Sequence, residues 1–428
     1  MKNVLTQKLK TLPVAMAEFI SQAGVLADDM GLQVYLVGGF VRDLLLGVGH
    51  FDVDLVVEGD GIHFAQECAR RLSLKVVTHG RFGTAALHGP DGFKADITSA
   101  RKETYEKPAA LPSVSKGGIK DDLFRRDFTI NAMAIGINQN SYGEVFDFYG
   151  GRRDLEKKTV RALHPLSFID DPTRILRAMR FEKRLSFRME PRTLAWIREA
   201  LGRQMLFSVQ KHRLRDELVL IFKEHRPVSV LKRLWELCGY SFISPGLVYR
   251  DGWNAAHTRI QEAARWFTAH AVHKRYLDTY VMLMCLFFEG VAMKRLKDTM
   301  LAFAFHKGES RRIMSYRKNA AALERRLAKR DLRPSGVYRL LEPLAYEVVV
   351  LVYALTAKKR VKERIRDYLL VYHGTRLHVR GEDLALLGSR PGPHFKKILT
   401  TLLYAKVDGK LEGKDEELAL ARKMMARS

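Results

Sequence analysis

Cysteine is scarce in this chain of 428 residues: Cys68, Cys238 and Cys285 are its three, widely separated and in no CxxC spacing. An odd, scattered set builds neither a disulfide framework nor a zinc site, and a reducing cytosol suits it best. Long hydrophobic runs are also absent. The longest, Tyr280 to Phe288 and Val348 to Ala354, fall far short of the roughly 20 apolar residues that span a bilayer. Near the N-terminus the apolar positions are broken by Lys8, Lys10, Glu18, Asp28 and Asp29, so no secretory signal is read there and no membrane is expected as a partner. No Gly-Lys-Ser/Thr follows the glycine pair Gly38-Gly39, which excludes a Walker A loop there. Neither an internal repeat nor a low-complexity segment is found.

Acidic residues are in deficit, 48 against 73 lysines and arginines, which leaves a formal net charge of +25. An excess of this size sets up a sustained positive field and implies a polyanionic partner. Nucleic acid is favoured over an anionic membrane, because no basic amphipathic anchor or lipidation signal accompanies the charge. With 47% hydrophobic residues over this length, the chain can bury more than one core, and two or more domains are expected.

The chain opens with apolar residues at helical spacing (Val14, Met16, Phe19, Ile20, Ala23, Leu26), predicting one amphipathic helix over the first 30 or so residues. Short strands are predicted at Gln33 to Val37, Phe51 to Val57, Leu74 to Thr78, Thr84 to Leu87 and Phe93 to Ile97, interleaved with helices such as Ile62 to Leu72. From about residue 152 the spacing becomes helical and no convincing strand remains. The fold class is therefore α+β: a small mixed sheet with helices, then an all-helical remainder. Basic runs at Lys307 to Arg330 and Lys358 to Arg366 could follow an extended RNA, although each run alone reads more simply as a solvated helix face. His270 and His273 read as incidental rather than as metal ligands.

In Phe51-Asp-Val-Asp-Leu-Val-Val57 the side chains alternate, placing Asp52 and Asp54 on one face and Phe51, Val53, Leu55 and Val57 on the other. Adjacent carboxylates repel unless a cation lies between them, and Mg²⁺ suits oxygen ligands shared with substrate phosphates. Two such ions would activate an attacking hydroxyl and hold a triphosphate; the simpler alternative is an edge strand with solvated acids. Upstream, Gly38-Gly39 precedes a predicted helix, Val41 to Leu46, where glycines and a helix N-terminus favour phosphate. Arg42 either touches that phosphate or pairs with Asp43 or the acidic strand. Asp96, on the strand Phe93 to Ile97, is either a third carboxylate near the metals or an ordinary exposed residue.

LVGGFVRDLLLG with FDVDLVV, then DLFRRDFTINAMAI (Asp122 to Ile135), then DDPTRILRAMRF (Asp170 to Phe181) resemble, in order and spacing, the motifs of class II tRNA nucleotidyltransferases and bacterial poly(A) polymerases. The resemblance covers about residues 30 to 220. It implies a nucleotidyltransferase head over 1–151, a helical neck carrying a nucleotide-base template over 152–222, a helical body over 223–370 and a helical, RNA-binding tail over 371–428. It implies two Mg²⁺ ions held by Asp52 and Asp54, with Asp96 a further catalytic carboxylate, and phosphate binding at Gly38, Gly39 and Arg42. Arg126, Asp127 and Asn131 would sense the ribose.

Asp171 and Arg174 lie three apart on a predicted helix and point the same way. A carboxylate acceptor beside a guanidinium donor matches the Watson-Crick edge of C or A and opposes that of G and U, so the pair would serve as a protein template; the plain alternative is an intrahelical salt bridge. Arg177, Arg213 and Glu217 would support this helix. The implied reaction is attack of a tRNA 3′-hydroxyl on CTP or ATP with release of pyrophosphate, and the implied partner is the tRNA acceptor arm. Whether C, A or both are added stays open, as do a poly(A) polymerase using ATP alone and a non-catalytic RNA binder on the same scaffold. The segment Ser99 to Leu123 corresponds to a loop that is flexible in the family. Gly381 to Gly388 with Pro391-Gly-Pro393 resembles the family's tail segment, and the absence of a His-Asp doublet argues against an attached phosphohydrolase domain.

Overall fold

In the computed structural model, residues 2–49, 52–80, 83–388 and 392–426 are described. Phe51 and Pro391, both used in the sequence reading, lie outside them. The strands are β1 (Gln33–Val37), β2 (Val53–Glu58), β3 (Lys75–His79), β4 (Thr84–His88), β5 (Lys94–Ser99), β6 (Arg101–Thr104), β7 (Ser113–Lys116), β8 (Ala134–Gly136), β9 (Val145–Phe146), β10 (Thr159–Val160) and β11 (Arg188–Met189). Seven of them form one mixed sheet in the order β3-β4-β5-β2-β1-β8-β9, in which β2 runs parallel to β5 and antiparallel to β1.

Alternation along β2 explains its place at the centre. Val53, Leu55 and Val57 are buried on the face covered by the helices Val14–Asp29 and Gly61–Leu72. On the other face Val56 joins Tyr35, Val37, Ile119, Leu123, Ala132 and Ala134 in a second apolar cluster. The face that carries Asp54 is thus half core and half open, and the acids stand where that cluster ends.

The first departures from the sequence reading lie in the opening helix, the Ser99 to Leu123 segment and the stretch after residue 152. The opening helix is two helices, Lys2–Lys10 and Val14–Asp29, with Pro13 immediately ahead of the second, where its missing N–H costs nothing. The Ser99 to Leu123 segment contains an antiparallel hairpin, β6 with β7, in register from Arg101 opposite Lys116 to Thr104 opposite Ser113. The stretch expected to be purely helical holds one short parallel pair, β10 with β11.

The chain divides into two compact units, Met1–Glu217 with Glu224–Arg226, and Leu218–Lys223 with Pro227–Ser428. The second unit is helical among its described residues. Its two apolar runs form the helices Thr279–Phe287 and Tyr346–Leu355, buried on nearly every side as an all-round hydrophobic helix must be. No described helix is long and apolar enough to cross a membrane. Several cations of the basic runs serve the fold: Arg312 pairs with Asp278 (2.6 Å) and the buried Glu347 (2.9 Å), and Arg364 donates to the carbonyls of Leu327, Arg330 and Leu332. A separate apolar cluster of Val379, Leu384, Phe395, Ile398, Leu402, Leu411 and Ala421 forms near the C-terminus, closed by the buried Glu417 on Lys406 (2.6 Å). The three cysteines are free thiols; burial pushes those of Cys68 and Cys238 up to about 12.

The first unit is fastened at one buried amide. Asn138, 1% exposed, donates to Asp28 Oδ1 and to the Leu32 carbonyl (2.8 Å each) and accepts from the Val34 N–H (2.9 Å), which joins the end of helix Val14–Asp29 to the start of β1. Asn138→Ala strands the buried Val34 N–H and removes a bond from the half-buried Leu32 carbonyl, so urea unfolding should report a loss of about 1–3 kcal/mol. A change within a few tenths would show that water replaces the amide.

Candidate active site

The register of β2 against β5 sets Asp54 directly beside Asp96, and partners in a parallel pair point to the same face. Asp52 is exposed just ahead of the strand. Burial, with Asp96 and Asp52 nearby and only partly offset by Arg126 and Lys94, pushes the Asp54 carboxyl up to about 6. Lys94 pairs with Asp96 at 2.6 Å. Among the described residues no cluster of three or more His, Cys, Asp or Glu side chains is ready to hold a metal. The donor chemistry fits a hard divalent cation bound by two carboxylates, with substrate oxygens completing its shell.

Gly38 has φ 67°, and a Cβ there would stand 2.5 Å from Arg126 Nη1, so glycine is required where the backbone meets this arginine. Helix Gly39–Leu46 follows directly. Arg42 is buried and forked onto Asp43 (both bonds 2.8 Å), and its remaining Nη1 donates to Asn131 Oδ1 at 2.6 Å. Asn131 Nδ2 donates to Asp127 Oδ1 (2.9 Å), and Asp127 Oδ2 accepts two bonds from Arg177 (2.6 and 2.8 Å). Arg177 continues to Glu217 (3.0 Å), which also meets Arg180 (3.3 Å). Arg126 and Arg125 converge on the fully buried Asp122 at 2.9 and 2.6 Å.

Asp171 lies ahead of helix Thr173–Arg184 rather than on it. Its φ of −133° and ψ of 91° are extended, and Oδ1 accepts from the N–H (3.1 Å) and hydroxyl (2.6 Å) of Thr173. It acts as a cap and pairs with Arg213 at 2.9 Å, so the intrahelical bridge to Arg174 is not formed. Arg174 is buried and held elsewhere, donating to Ser167 Oγ (2.8 Å) and to the Arg125 carbonyl (2.6 Å). Arg213 and Glu217, one turn apart on helix Lys211–Phe222, thus hold opposite ends of the segment Asp171 to Arg180.

These side chains line a cleft of about 680 Å³. Gly38, Gly39, Arg42, Asp54, Arg126, Asp127, Asn131, Asp171, Arg174, Arg177, Arg213 and Glu217 all border it; Asp52 and Asp96 do not. Sequence reasoning passed over Glu103, Tyr105, Arg125, Thr173, Phe181, Arg184 and Asp216, which border it too. Arg125 could have been found beside Arg126. Glu103 and Tyr105 sit in the segment read as a loop, where only a short alternation marked the strand.

Burial would raise the Asp127 carboxyl, but Arg177, the Asn131 amide and Arg174 outweigh it and hold it at about 2. A depressed carboxylate contributes stability in full above its unfolded value near 4 and loses it as the pH falls towards 2. Arg177→Met should therefore destabilise the first unit by about 3–5 kcal/mol at pH 7, since Asp127 is left charged and buried. The deficit should shrink towards pH 4 as the unpaired carboxyl takes up a proton. Urea unfolding of both proteins across this range checks it, and a pH-independent deficit would contradict the pairing.

Residues 34–161 match the model of the poly A polymerase head domain, and residues 186–249 match that of the probable RNA and SrmB-binding site of polymerase A. The chain is 34% identical to an A-adding tRNA nucleotidyltransferase of Halalkalibacterium halodurans, over 98% of this chain and 95% of that protein. It is 36% identical to the A-adding tRNA nucleotidyltransferase of Geobacter sulfurreducens over 96% of this chain, which spans only 47% of that longer protein. Among solved structures, the Thermotoga maritima CCA-adding enzyme complexed with tRNA is similar with a TM-score of 0.72 at 32% identity, over 98% of both chains. With near-complete coverage of a relative at this identity, and a family head domain containing the acidic strand and the cleft glycines, the chain belongs to the tRNA nucleotidyltransferase family.

Proposed function

We propose that this protein transfers a nucleotide from ATP or CTP to the 3′ end of tRNA without a nucleic-acid template, and that the terminal A is its principal product. The observation that carries the reaction is the cleft itself, where Asp54, the anion-seeking Gly38-Gly39 turn and the acceptor-donor set of Asp171 and Arg174 share one cavity. The A-adding relatives, similar over nearly the whole chain, support the choice of A. A CCA-adding relative solved with tRNA supports the RNA partner, as does the net charge of +25.

In this reading Asp52 and Asp54 would hold two Mg²⁺ ions, with Asp96 alongside; the ions would supply Lewis-acid stabilisation of the phosphates and activation of the attacking hydroxyl. Gly39, at the N-terminus of helix Gly39–Leu46, would offer its backbone N–H to the triphosphate, while Gly38, whose N–H donates to the Met133 carbonyl (3.3 Å), lets the backbone approach it. Arg42 shapes that turn through Asn131 and also borders the phosphate space. Arg126, Asp127 and Asn131 face the ribose, Asp127 and Asn131 being locked in place by Arg177 and Arg42. Asp171 accepts from the exocyclic amino group of A or C, and Arg174 donates to the adjacent ring nitrogen. Arg213 and Glu217 fix the two ends of this reading segment. The head would comprise residues 1–151, the neck 152–222, the body 223–370 and the tail 371–428.

The experiment is extension of three tRNA transcripts, ending at the discriminator base, after one C and after two, each offered CTP, ATP or both. Addition of A only to the transcript ending in CC is expected. Completion of all three would make it a full CCA-adding protein, and long ATP-only tails on any RNA would make it a poly(A) polymerase; either outcome overturns the A assignment. Asp54→Asn should reduce pyrophosphate release at least 1,000-fold, on the order expected when an essential charge-stabilising group is lost, while leaving tRNA binding intact. A variant that still turns over at a tenth of the normal rate would remove Asp54 from the reaction.

A further inference from the structure

The β6–β7 hairpin is fixed to the base-reading segment at two places. Near its base, Glu103 accepts from Arg125 (3.2 Å) and Arg101 (2.9 Å), and the Arg125 carbonyl in turn accepts from Arg174. At its tip the Ala109 N–H donates to the Ile169 carbonyl (3.1 Å), two residues before Asp171. Ala109 is buried and adopts φ 59°, a left-handed conformation rare for alanine, which shows that the tip is held by its contacts rather than by its own preference. Between the two anchors Tyr105 borders the cleft with Asp171, Thr173 and Arg174.

Tyr105 is built to present a ring. Its hydroxyl donates to Glu103 Oε2 (3.2 Å), inside its own hairpin, so the polar tip is satisfied without any partner across the cleft. The ring is only half-buried and is not part of the apolar cluster behind β1 and β2. An aromatic face beside a donor-acceptor pair suits a nucleobase: the pair reads the edge while the ring packs on the flat face.

We propose that Tyr105 is a nucleotide-positioning residue, its ring forming the wall of the base site against which the incoming purine or pyrimidine packs while Asp171 and Arg174 read it. This rests on the proposed nucleotidyl transfer. Steady-state transfer to a tRNA ending in CC, with ATP varied, tests it on the full chain. Tyr105→Ala should raise KM for ATP about tenfold or more, the usual effect of removing a base-stacking ring, and change kcat much less. Tyr105→Phe keeps the ring and should stay within about twofold. Tyr105→Leu keeps apolar volume without a π face and should resemble Tyr105→Ala, which keeps the test decisive if the alanine variant folds poorly. Leucine performing as well as phenylalanine, or an unchanged KM in a folded alanine variant, would overturn the assignment. Failure of the wild-type protein to transfer any nucleotide would instead overturn the underlying reading, so the two failures are distinct.

Discussion

The buried ion pair between Asp127 and Arg177 is the constraint on which the rest of the cleft depends. Asp127 lies between the helix Ile119–Phe124 and the turn Thr129–Asn131, and Arg177 on the helix Thr173–Arg184 that Asp171 caps. A carboxylate with 6% exposure cannot remain charged without a partner of this quality. Once the pair is formed, each end is committed: Asn131 and Arg42 extend it to the glycine turn, and Glu217 and Arg180 extend it to helix Lys211–Phe222. One continuous chain of charge-assisted hydrogen bonds therefore links the helix that follows the glycine turn to the helix that bears Arg174.

That rigidity gives the proposed specificity a physical basis. A protein can replace a template strand only if its donors and acceptors keep a fixed polarity when the base is absent. Arg174 is held by Ser167 and the Arg125 carbonyl, and Asp171 by Thr173 and Arg213, so neither group has to search for its position when a nucleotide arrives. The organisation cost is met by folding rather than by binding, which is how a preorganised site discriminates.

Much of this was legible in the sequence where a period or a spacing carried it. The central strand followed from alternation around Asp52 and Asp54, whereas the neighbour that stands beside Asp54, Asp96 on β5, depends on a strand register that the sequence does not carry. The helical second unit followed from i, i+3, i+4 spacing, and its two short apolar runs became its most buried helices. The position of Asp171 was missed although a signal existed: it precedes Pro172, and a residue before proline is driven away from helical angles, which leaves Asp171 extended as a cap. The β6–β7 hairpin escaped because its strands are four residues each, charged and largely exposed, so neither face shows an apolar stripe. Arg42 could not be assigned from sequence, since its choice of Asp43 and Asn131 depends on a contact 89 residues away.

If Asp171 and Arg174 read the base with a fixed acceptor-donor polarity, the cleft should select nucleotides without RNA. Equilibrium binding of ATP, CTP, GTP and UTP to the protein alone, in the presence of Mg²⁺, tests it most directly. ATP and CTP should bind, and GTP and UTP should bind at least tenfold more weakly, since a reversed edge leaves buried donors and acceptors unpaired at a cost of about 1–3 kcal/mol. Equal binding of all four would mean that the cleft recognises only ribose and phosphate, and would contradict base reading by Asp171 and Arg174.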